Sequence, residues 1–256
     1  MAFDYKENFF KTFEEGSLRS AEAVVPLVLG LVRPTSVIDF GCGIGTWLSV
    51  FKAHGVADVL GLDGAYVKKE ILRIPQNRFV PVDLEKPVRM GRKFDLVVSL
   101  EAVEHLPEGC AGTFVDSLVA HGPLVLFSAA VPLQSGEHHV NEQWPDYWAK
   151  LFRDRGYVVI DCIRKQVWQK DNVEWWYAQN IMMFAEKKYL DAHPLLKKEY
   201  ENTALSQISI VHPRNYLFQI KWRSDPLNSS LTQVASALPA LIKKYFKRKV
   251  KRLFRF

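Results

Sequence analysis

The sequence contains few cysteines and no long apolar run. Cys42, Cys110 and Cys162 lie far apart, and no two of them form a C-x-x-C pair. An odd, scattered count predicts reduced thiols and a cytoplasmic location. No stretch of 18 apolar residues is present, so no membrane-spanning helix is expected. The first residues include acidic side chains and lack the apolar segment of a secretion signal.

Acidic residues become scarce towards the end of the chain. From Asp191 to Phe256 there are 13 Lys and Arg against four Asp and Glu, whereas the whole 256-residue chain has a net charge of +6. The first 190 residues must therefore be slightly acidic. This distribution argues against a general nucleic-acid-binding face on the main part of the chain. The length suffices for one buried α/β core plus an appendage.

The most informative segment is the stretch 37–51, which reads VIDFGCGIGTWLSVF. A short apolar run containing Asp39 is followed by Gly41, Gly43 and Gly45, and a helical pattern begins near Thr46. This order predicts a buried parallel strand, a tight turn and a helix N-terminus. Glycines permit positive φ and a close approach of a ligand to the backbone, and the free N–H groups of the helix start point at that ligand.

Other glycine motifs fit this segment less well. A dinucleotide-binding fingerprint requires G-x-G-x-x-G, whereas this turn is G-x-G-x-G. A phosphate-binding P-loop requires a lysine after its last glycine, and Thr46 follows Gly45 here. A glycine turn without a ligand is the remaining alternative. The segment resembles the first motif of the class I S-adenosylmethionine-dependent methyltransferases.

The resemblance implies a set of residues that bind S-adenosylmethionine. Asp63 follows the glycines by about 20 residues at the end of the next strand, where such folds hold the ribose hydroxyls. In the resembled family, an Asp at the position of Asp83 accepts a hydrogen bond from the adenine amino group, and the backbone N–H of Leu84 donates one. The cofactor-binding residues implied in this way are Asp39, Gly41, Cys42, Gly43, Gly45, Asp63, Asp83 and Leu84.

The order of apolar runs predicts a doubly wound, Rossmann-like α/β fold with a seven-stranded, mostly parallel sheet and helices on both faces. The predicted strands lie near Val37 and at 59–63, 78–82, 94–100, 123–130, 157–160 and 181–185, the last one inserted antiparallel as in the family. Helices are predicted at 21–31 with Ser17 as the N-cap, from Thr46, at 110–120 and at 146–155. The methyltransferase domain is expected to span 1–187, and 188–256 to form a C-terminal extension.

Catalytic residues are expected at the carboxyl ends of the strands. Glu101, Glu104 and His105 follow the fourth strand, and His138 and His139 lie in the polar loop after the fifth. In one interpretation His105, His138 or His139 is the general base that deprotonates an acceptor hydroxyl. In a second, Glu101, Glu104 and His105 share a helix face and bind Mg, Mn or Zn together with His139. In a third, Glu104 and His105 only brace the chain.

The spacing E-x-x-E-H with a later histidine resembles the metal site of two O-methyltransferase groups, those acting on ubiquinone precursors and those capping the 3′ ends of small RNAs. The RNA group carries R-H-x-D-H, whereas this chain has Gly-Glu-His-His-Val-Asn at 136–141. The departure weakens the RNA interpretation more than the metal one.

Aromatic residues predict the nature of the methyl acceptor. Six of the seven tryptophans follow residue 140, and flat aromatic faces suit sugar rings, planar aromatics or bases. No Asn/Asp-Pro-Pro-Tyr motif follows the fourth strand, which argues against methylation of the amino groups of DNA bases. The sequence also resembles bacterial methyltransferases of glycan assembly, so a sugar hydroxyl or related small polar acceptor is expected. An RNA 2′-O-methyltransferase and a non-catalytic binding scaffold are the alternatives.

The last stretch, 238–256, has apolar residues at helical spacing, eight Lys and Arg between them and no acidic residue. This pattern is typical of a helix lying on an anionic membrane surface. A helix docked on its own domain and a loose basic tail are the alternatives. We therefore expect a cytoplasmic protein that associates peripherally with membranes.

Overall fold

The structure is a computed structural model that describes residues 7–224, 228 and 230–253. Seven strands form one sheet: β1 (Ser36–Phe40), β2 (Asp58–Asp63), β3 (Phe79–Pro81), β4 (Leu96–Leu100), β5 (Leu124–Ser128), β6 (Tyr157–Ile160) and β7 (Met182–Glu186). The α-helices are α1 (Glu7–Leu31), α2 (Thr46–Ala53), α3 (Ala111–His121), α4 (Pro145–Arg153), α5 (Arg164–Val167), α6 (Trp175–Asn180), α7 (Pro194–Glu201), α8 (Pro213–Ser224) and α9 (Leu231–Leu253).

The sheet has the strand order β3-β2-β1-β4-β5-β7-β6. All neighbouring strands run parallel except β7, which pairs antiparallel with both β5 and β6. The predicted doubly wound fold and the antiparallel last strand are therefore confirmed. The order reverses between β1 and β4, and in open α/β sheets ligands bind outside the carboxyl ends of the strands at such a switch point.

The strands are apolar on both faces because helices cover both sides of the sheet. Successive residues point to opposite faces, so Val98 and Leu126 belong to one hydrophobic cluster while Val97 and Val125 belong to the other. The first cluster includes the buried residues of α1 and α2, and the second those of α3 and α4. The sheet is thus held rigidly between two apolar layers.

The prediction that Ser17 caps a helix is wrong. Helix α1 runs without interruption from Glu7 to Leu31 and includes Ser17 in its interior. The Ser17 hydroxyl lies 3.1 Å from the hydroxyl of Tyr177 in α6, so it serves a tertiary contact rather than the helix start. The nearby Ser20 hydroxyl likewise accepts a hydrogen bond from the backbone N–H of Glu174.

The connection between β3 and β4 contains no α-helix and is held by side chains of α3. The N–H of Val88 donates to the Ser117 hydroxyl, 3.1 Å away, and the N–H of Met90 donates to Nε2 of His121, 3.0 Å away. The His121 Nδ1 lies 2.6 Å from the carbonyl oxygen of Ser117. These contacts require a neutral imidazole with its proton on Nδ1.

The structure divides into two compact units, the first ending at His212 and the second beginning at Pro213. The first unit continues beyond the expected boundary at residue 187 because later segments are hydrogen-bonded into it. Thr203 accepts from the N–H of Asp161, and the backbone of Ile208 accepts from the buried Arg164. Within the described residues, no helix is long and apolar enough to cross a membrane.

We predict that His121 makes folding stability depend on pH. Burial lowers the pKa of His121, so the unfolded chain takes up the proton first as the pH falls below about 6.5. Stability should therefore be fully present above this pH and decline below it. In H121Q this pH-dependent part of the stability should disappear. Weaker hydrogen bonds to Met90 and Ser117 should also reduce the free energy of unfolding at neutral pH by about 1–3 kcal/mol.

Urea unfolding at several pH values measures both effects. The exposed His54 provides the matched control, because H54Q should leave the pH profile of stability unchanged. Identical pH profiles for the parent protein and H121Q would contradict the prediction.

Candidate active site

The glycine turn between β1 and α2 has the backbone that a closely approaching ligand requires. Gly41, Gly43 and Gly45 have φ values of 82°, 54° and 82°. The N–H groups of Gly41 and Cys42 both donate to the carbonyl of Leu62, at 2.8 and 3.1 Å. A Cβ on Gly41 would lie 2.4 Å from the Cβ of Ala102, so this position excludes any larger residue.

Asp63 connects the end of β2 to the glycine turn. One carboxylate oxygen accepts from the N–H of Gly43 at 2.6 Å, and the other accepts from the N–H of Gly64 at 2.6 Å and from the Tyr66 hydroxyl. Burial raises the pKa of Asp63, and burial together with the charge of Asp63 raises the pKa of Asp39 well above its usual range. Two buried acids therefore stand behind the turn, where cationic or hydroxyl-bearing groups would be stabilised.

Asp83 and Leu84 follow the carboxyl end of β3, and the glycine turn follows the same end of β1. The Asp83 carboxylate is exposed, lies 2.9 Å from Nζ of Lys86 and accepts from the N–H of Glu85. The hydrogen bond from Lys86 lowers the pKa of Asp83. Leu84 approaches to 4.0 Å of the point where a Cβ on Gly41 would stand, which brings this segment to the glycine turn.

The chain after β4 differs from the helix face expected there. Glu101 has a φ of 49°, and a short 3-10 turn over Val103–His105 follows. The N–H of Glu101 donates to both the carbonyl and the hydroxyl oxygen of Ser128, each at 3.1 Å. Because Glu101 is left-handed and the turn that follows is a 3-10 turn, Glu101 and Glu104 do not lie on one α-helix face.

Glu101 is held by a network of amide side chains. Its Oε2 accepts from Nε2 of Gln134 at 3.0 Å, and its Oε1 accepts from Nδ2 of Asn180 at 3.0 Å. Gln179 joins the network by donating to Gln134 and to Asn180. Burial raises the pKa of Glu101, while the donated hydrogen bonds oppose that rise. Sequence reasoning missed the three amides, since no local pattern marks buried amides that meet only in the fold.

Glu104, His105 and His139 come together into a cluster. One potential ligand atom from each lies within 4.8 Å of the others, whereas Glu101 is not a member of this group. The His105 and His139 rings are 5.0 Å apart and nearly perpendicular. His138 lies beside this cluster, exposed and 3.8 Å from Glu137. Of the four metal ligands expected from the sequence, Glu104, His105 and His139 thus form a compact set, whereas Glu101 is bound by the amide side chains.

The electrostatics of this cluster are unusual. Glu104 is fully buried, and neither of its carboxylate oxygens has a hydrogen-bond donor of ordinary geometry among the described residues. Burial and the neighbouring charge of Glu101 raise the pKa of Glu104 well above its usual range. Burial, together with the charges of His139 and His138, lowers the pKa of His105 to about 4. The site therefore offers neutral imidazole at neutral pH beside an unsatisfied carboxylate.

Glu142 fixes the position of His139. Its Oε1 lies 2.9 Å from Nδ1 of His139 and accepts from the N–H of Ser135, and its Oε2 accepts from the N–H of Leu133. On the other side of the ring, a Cβ on Gly136 would lie only 2.1 Å from Nε2 of His139. The carboxylate of Glu142 and the nearby backbone of Gly136 together restrict the orientation of the His139 ring. The i,i+3 spacing of His139 and Glu142 could have indicated this contact from the sequence.

The aromatic residues after β6 differ in their exposure. Tyr177 is buried, and its ring lies 5.1 Å from that of Trp47. Trp175 and Trp176 are only half-buried, with ring centroids 5.4 Å apart. Both tryptophans therefore keep part of their surface exposed, and Trp176 also packs against the hydrophobic core.

Comparisons with known proteins agree with this geometry. Residues 13–191 match the model of a family described as "Methyltransferase domain". No curated protein is significantly similar to the chain. DesVI of Streptomyces venezuelae has a similar structure, with a TM-score of 0.55 and 15% identity over 70% of this chain and 95% of that one.

Two further solved structures are similar. CalS10, an amino pentose methyltransferase from Micromonospora echinaspora that was solved with S-adenosylmethionine bound, has a TM-score of 0.53 and 15% identity, covering 73% of this chain and 100% of that one. An O-methyltransferase family protein from Burkholderia thailandensis has a TM-score of 0.52 and 15% identity, covering 71% of this chain and 60% of that one. At such identities the likeness shows the fold.

The family model covers most of the first compact unit, including the glycine turn, Asp63, Glu104, His105 and His139. The predicted cofactor, S-adenosylmethionine, is confirmed with it. This chain belongs to the methyltransferase domain family and is an S-adenosylmethionine-dependent methyltransferase.

Proposed function

We propose that the protein is an O-methyltransferase that methylates a hydroxyl of a sugar or related small polar acceptor, with a divalent cation held by Glu104, His105 and His139. One observation carries the proposal: the fully buried carboxyl group of Glu104, which has no donor of ordinary geometry among the described residues, lies with two imidazoles whose ligand atoms are within 4.8 Å of it. Buried charge of this kind is costly unless it is paired or coordinates a metal.

The three residues fit a divalent cation by their chemistry. Two imidazole nitrogens and a carboxylate oxygen suit Zn or Mn, with positions left open for other ligands. The low pKa of His105 keeps its lone pair available at neutral pH. When bound, such an ion would hold the acceptor hydroxyl and make it easier to deprotonate.

The other residues of the site bind and orient the methyl donor. The glycine turn lets a ligand approach the backbone closely, and Asp63 offers a carboxylate for the ribose hydroxyls. Asp39 and Asp63 are buried beside this turn, and a bound sulfonium would favour their charged forms against the rise in pKa that burial causes. Since the sulfonium is already activated, the enzyme chiefly has to align the acceptor in line with the methyl group and accept a proton.

The choice of a small acceptor rests on charge and on aromatic surface. The first 190 residues are slightly acidic, which disfavours a nucleic acid over the site. The half-exposed Trp175 and Trp176 supply flat faces of the kind that stack on sugar rings. CalS10, a structural neighbour, methylates an amino pentose. Transfer of label from S-adenosylmethionine to a panel of sugars, with the product analysed for methyl ethers, tests the acceptor class, and label found only in RNA would overturn it.

The first prediction about the active site concerns Asp63. D63A should weaken S-adenosylmethionine binding about 10- to 100-fold, because two charged hydrogen bonds to the donor are lost. Isothermal titration calorimetry measures the affinity. Asp58 begins the same strand and pairs with Arg78 and Arg92 instead, so D58A is the matched control and should bind the donor normally. Unchanged affinity in D63A would remove Asp63 from the donor site.

The second prediction concerns the cation. A chelator should abolish methyl transfer and added Mn²⁺ should restore it, and E104Q should weaken Mn²⁺ binding about 10-fold or more. The exposed Glu108 lies close by in the chain, so E108Q is the control. If transfer resists chelation but is lost in H139Q, a histidine base rather than a cation performs the chemistry.

The third prediction concerns Glu142 as a positioning residue. E142Q keeps the shape of the side chain but removes the charge that orients His139, so Mn²⁺ affinity and turnover should both fall about 10-fold or more while donor affinity stays constant. E137Q, in the same loop and exposed, should change neither. An E142Q variant with normal Mn²⁺ affinity would show that Glu142 only shapes the loop.

A further inference from the structure

The described part of the chain concentrates its exposed apolar side chains after His212. Most of the large apolar residues that are exposed lie in α8 and α9: Tyr216, Leu217, Phe218, Ile220, Trp222, Leu231, Val234, Leu238, Leu241, Ile242, Tyr245 and Phe246. Exposed apolar side chains in this number are typical of an interaction surface.

In α9 these residues form a single stripe. Leu231, Val234, Leu238, Leu241 and Tyr245 follow one another at spacings of three and four, so they lie on one face of the helix. Each is at least 39% exposed.

The polar face of the same helix is basic. By the helical period, Ser236 and Lys243 lie opposite the stripe, and Lys244 lies at its flank. The sequence from Pro226 to Phe256 contains eight Lys and Arg and no Asp or Glu. An apolar stripe beside uncompensated positive charge is complementary to a surface that is apolar inside and anionic outside.

Charge also decides between possible occupants. A second copy of α9 would bring two strongly basic helices together, and like charges along a helix pair are destabilising. An RNA would neutralise the lysines but would leave the apolar stripe exposed to water. A bilayer accommodates both faces of the helix at once.

We propose that α9 binds the surface of an anionic lipid bilayer. Its apolar stripe lies at the boundary between headgroups and acyl chains, and Lys243 and Lys244 contact the lipid phosphates. A single helix of this kind gives reversible attachment, so the methyltransferase exchanges between the membrane and the surrounding solution.

Sedimentation of the full chain with vesicles tests the proposal. The vesicles are phosphatidylcholine alone or phosphatidylcholine with phosphatidylserine, at low and high ionic strength. The parent protein should bind the anionic vesicles about 10-fold or more tightly than the neutral ones, and high salt should weaken that binding.

Three variants separate the contributions. L238S/L241S/I242S removes the stripe and should lose anionic-vesicle binding about 10-fold or more. K243E/K244E should lose binding chiefly at low salt. K69E/K93E changes the net charge equally at exposed positions of the first unit and should bind like the parent protein. S-adenosylmethionine affinity checks that every variant is folded.

Several outcomes would overturn the proposal. These are equal binding to neutral and anionic vesicles, loss of binding in K69E/K93E, or undiminished binding in L238S/L241S/I242S. Displacement from anionic vesicles by small RNA, with RNA binding that survives the loss of the stripe, would identify RNA as the partner. Self-association without lipid that disappears in the stripe variant would identify a second copy instead.

Discussion

Burial of acidic side chains along one edge of the sheet is the constraint on which the active site depends. Asp39, Asp63, Glu101 and Glu104 lie at or just beyond the carboxyl ends of neighbouring strands, where burial raises the pKa of each. A carboxylate removed from water is stable only if donors replace its hydration. The residues differ in how far they meet that requirement, and the differences separate the site into parts.

Backbone N–H groups supply the donors at Asp63, and side-chain amides supply them at Glu101. Glu104 has only donors of poor geometry within the described residues. The donors at Asp63 and Glu101 hold the site in place without a ligand. The arrangement at Glu104 is incomplete, which is why we assign the proposed cation to Glu104 and its imidazole neighbours rather than to Glu101, which the amides already bind.

The sequence was sufficient for those features that local chemistry determines. Buried parallel strands appear as short apolar runs, and the glycine turn is specified by the φ values that only its glycines adopt readily. Asp63 could be placed because its distance from the turn follows from one βα unit. The same reasoning failed at Ser17, where a serine with the chemistry of an N-cap is used for a contact with Tyr177.

The rest of the site could not be predicted because its residues meet only after folding. Gln134 lies in the loop after β5 and Asn180 at the end of α6, and nothing in their neighbouring sequence marks them. In place of the helix expected after β4, the chain has a left-handed residue, Glu101, whose N–H donates to Ser128 in a different strand, and then a short 3-10 turn.

The left-handed backbone of Glu101 has a consequence for how the enzyme can vary. A non-glycine residue held at a φ of 49° stores strain of about 1–3 kcal/mol, which the surrounding structure must offset. A glycine at this position would relieve the strain but would remove the carboxylate. Because that carboxylate is the acceptor for Gln134 and Asn180, its loss would weaken the hydrogen bonding of two buried amides, so the gain and the cost in stability oppose each other at this residue.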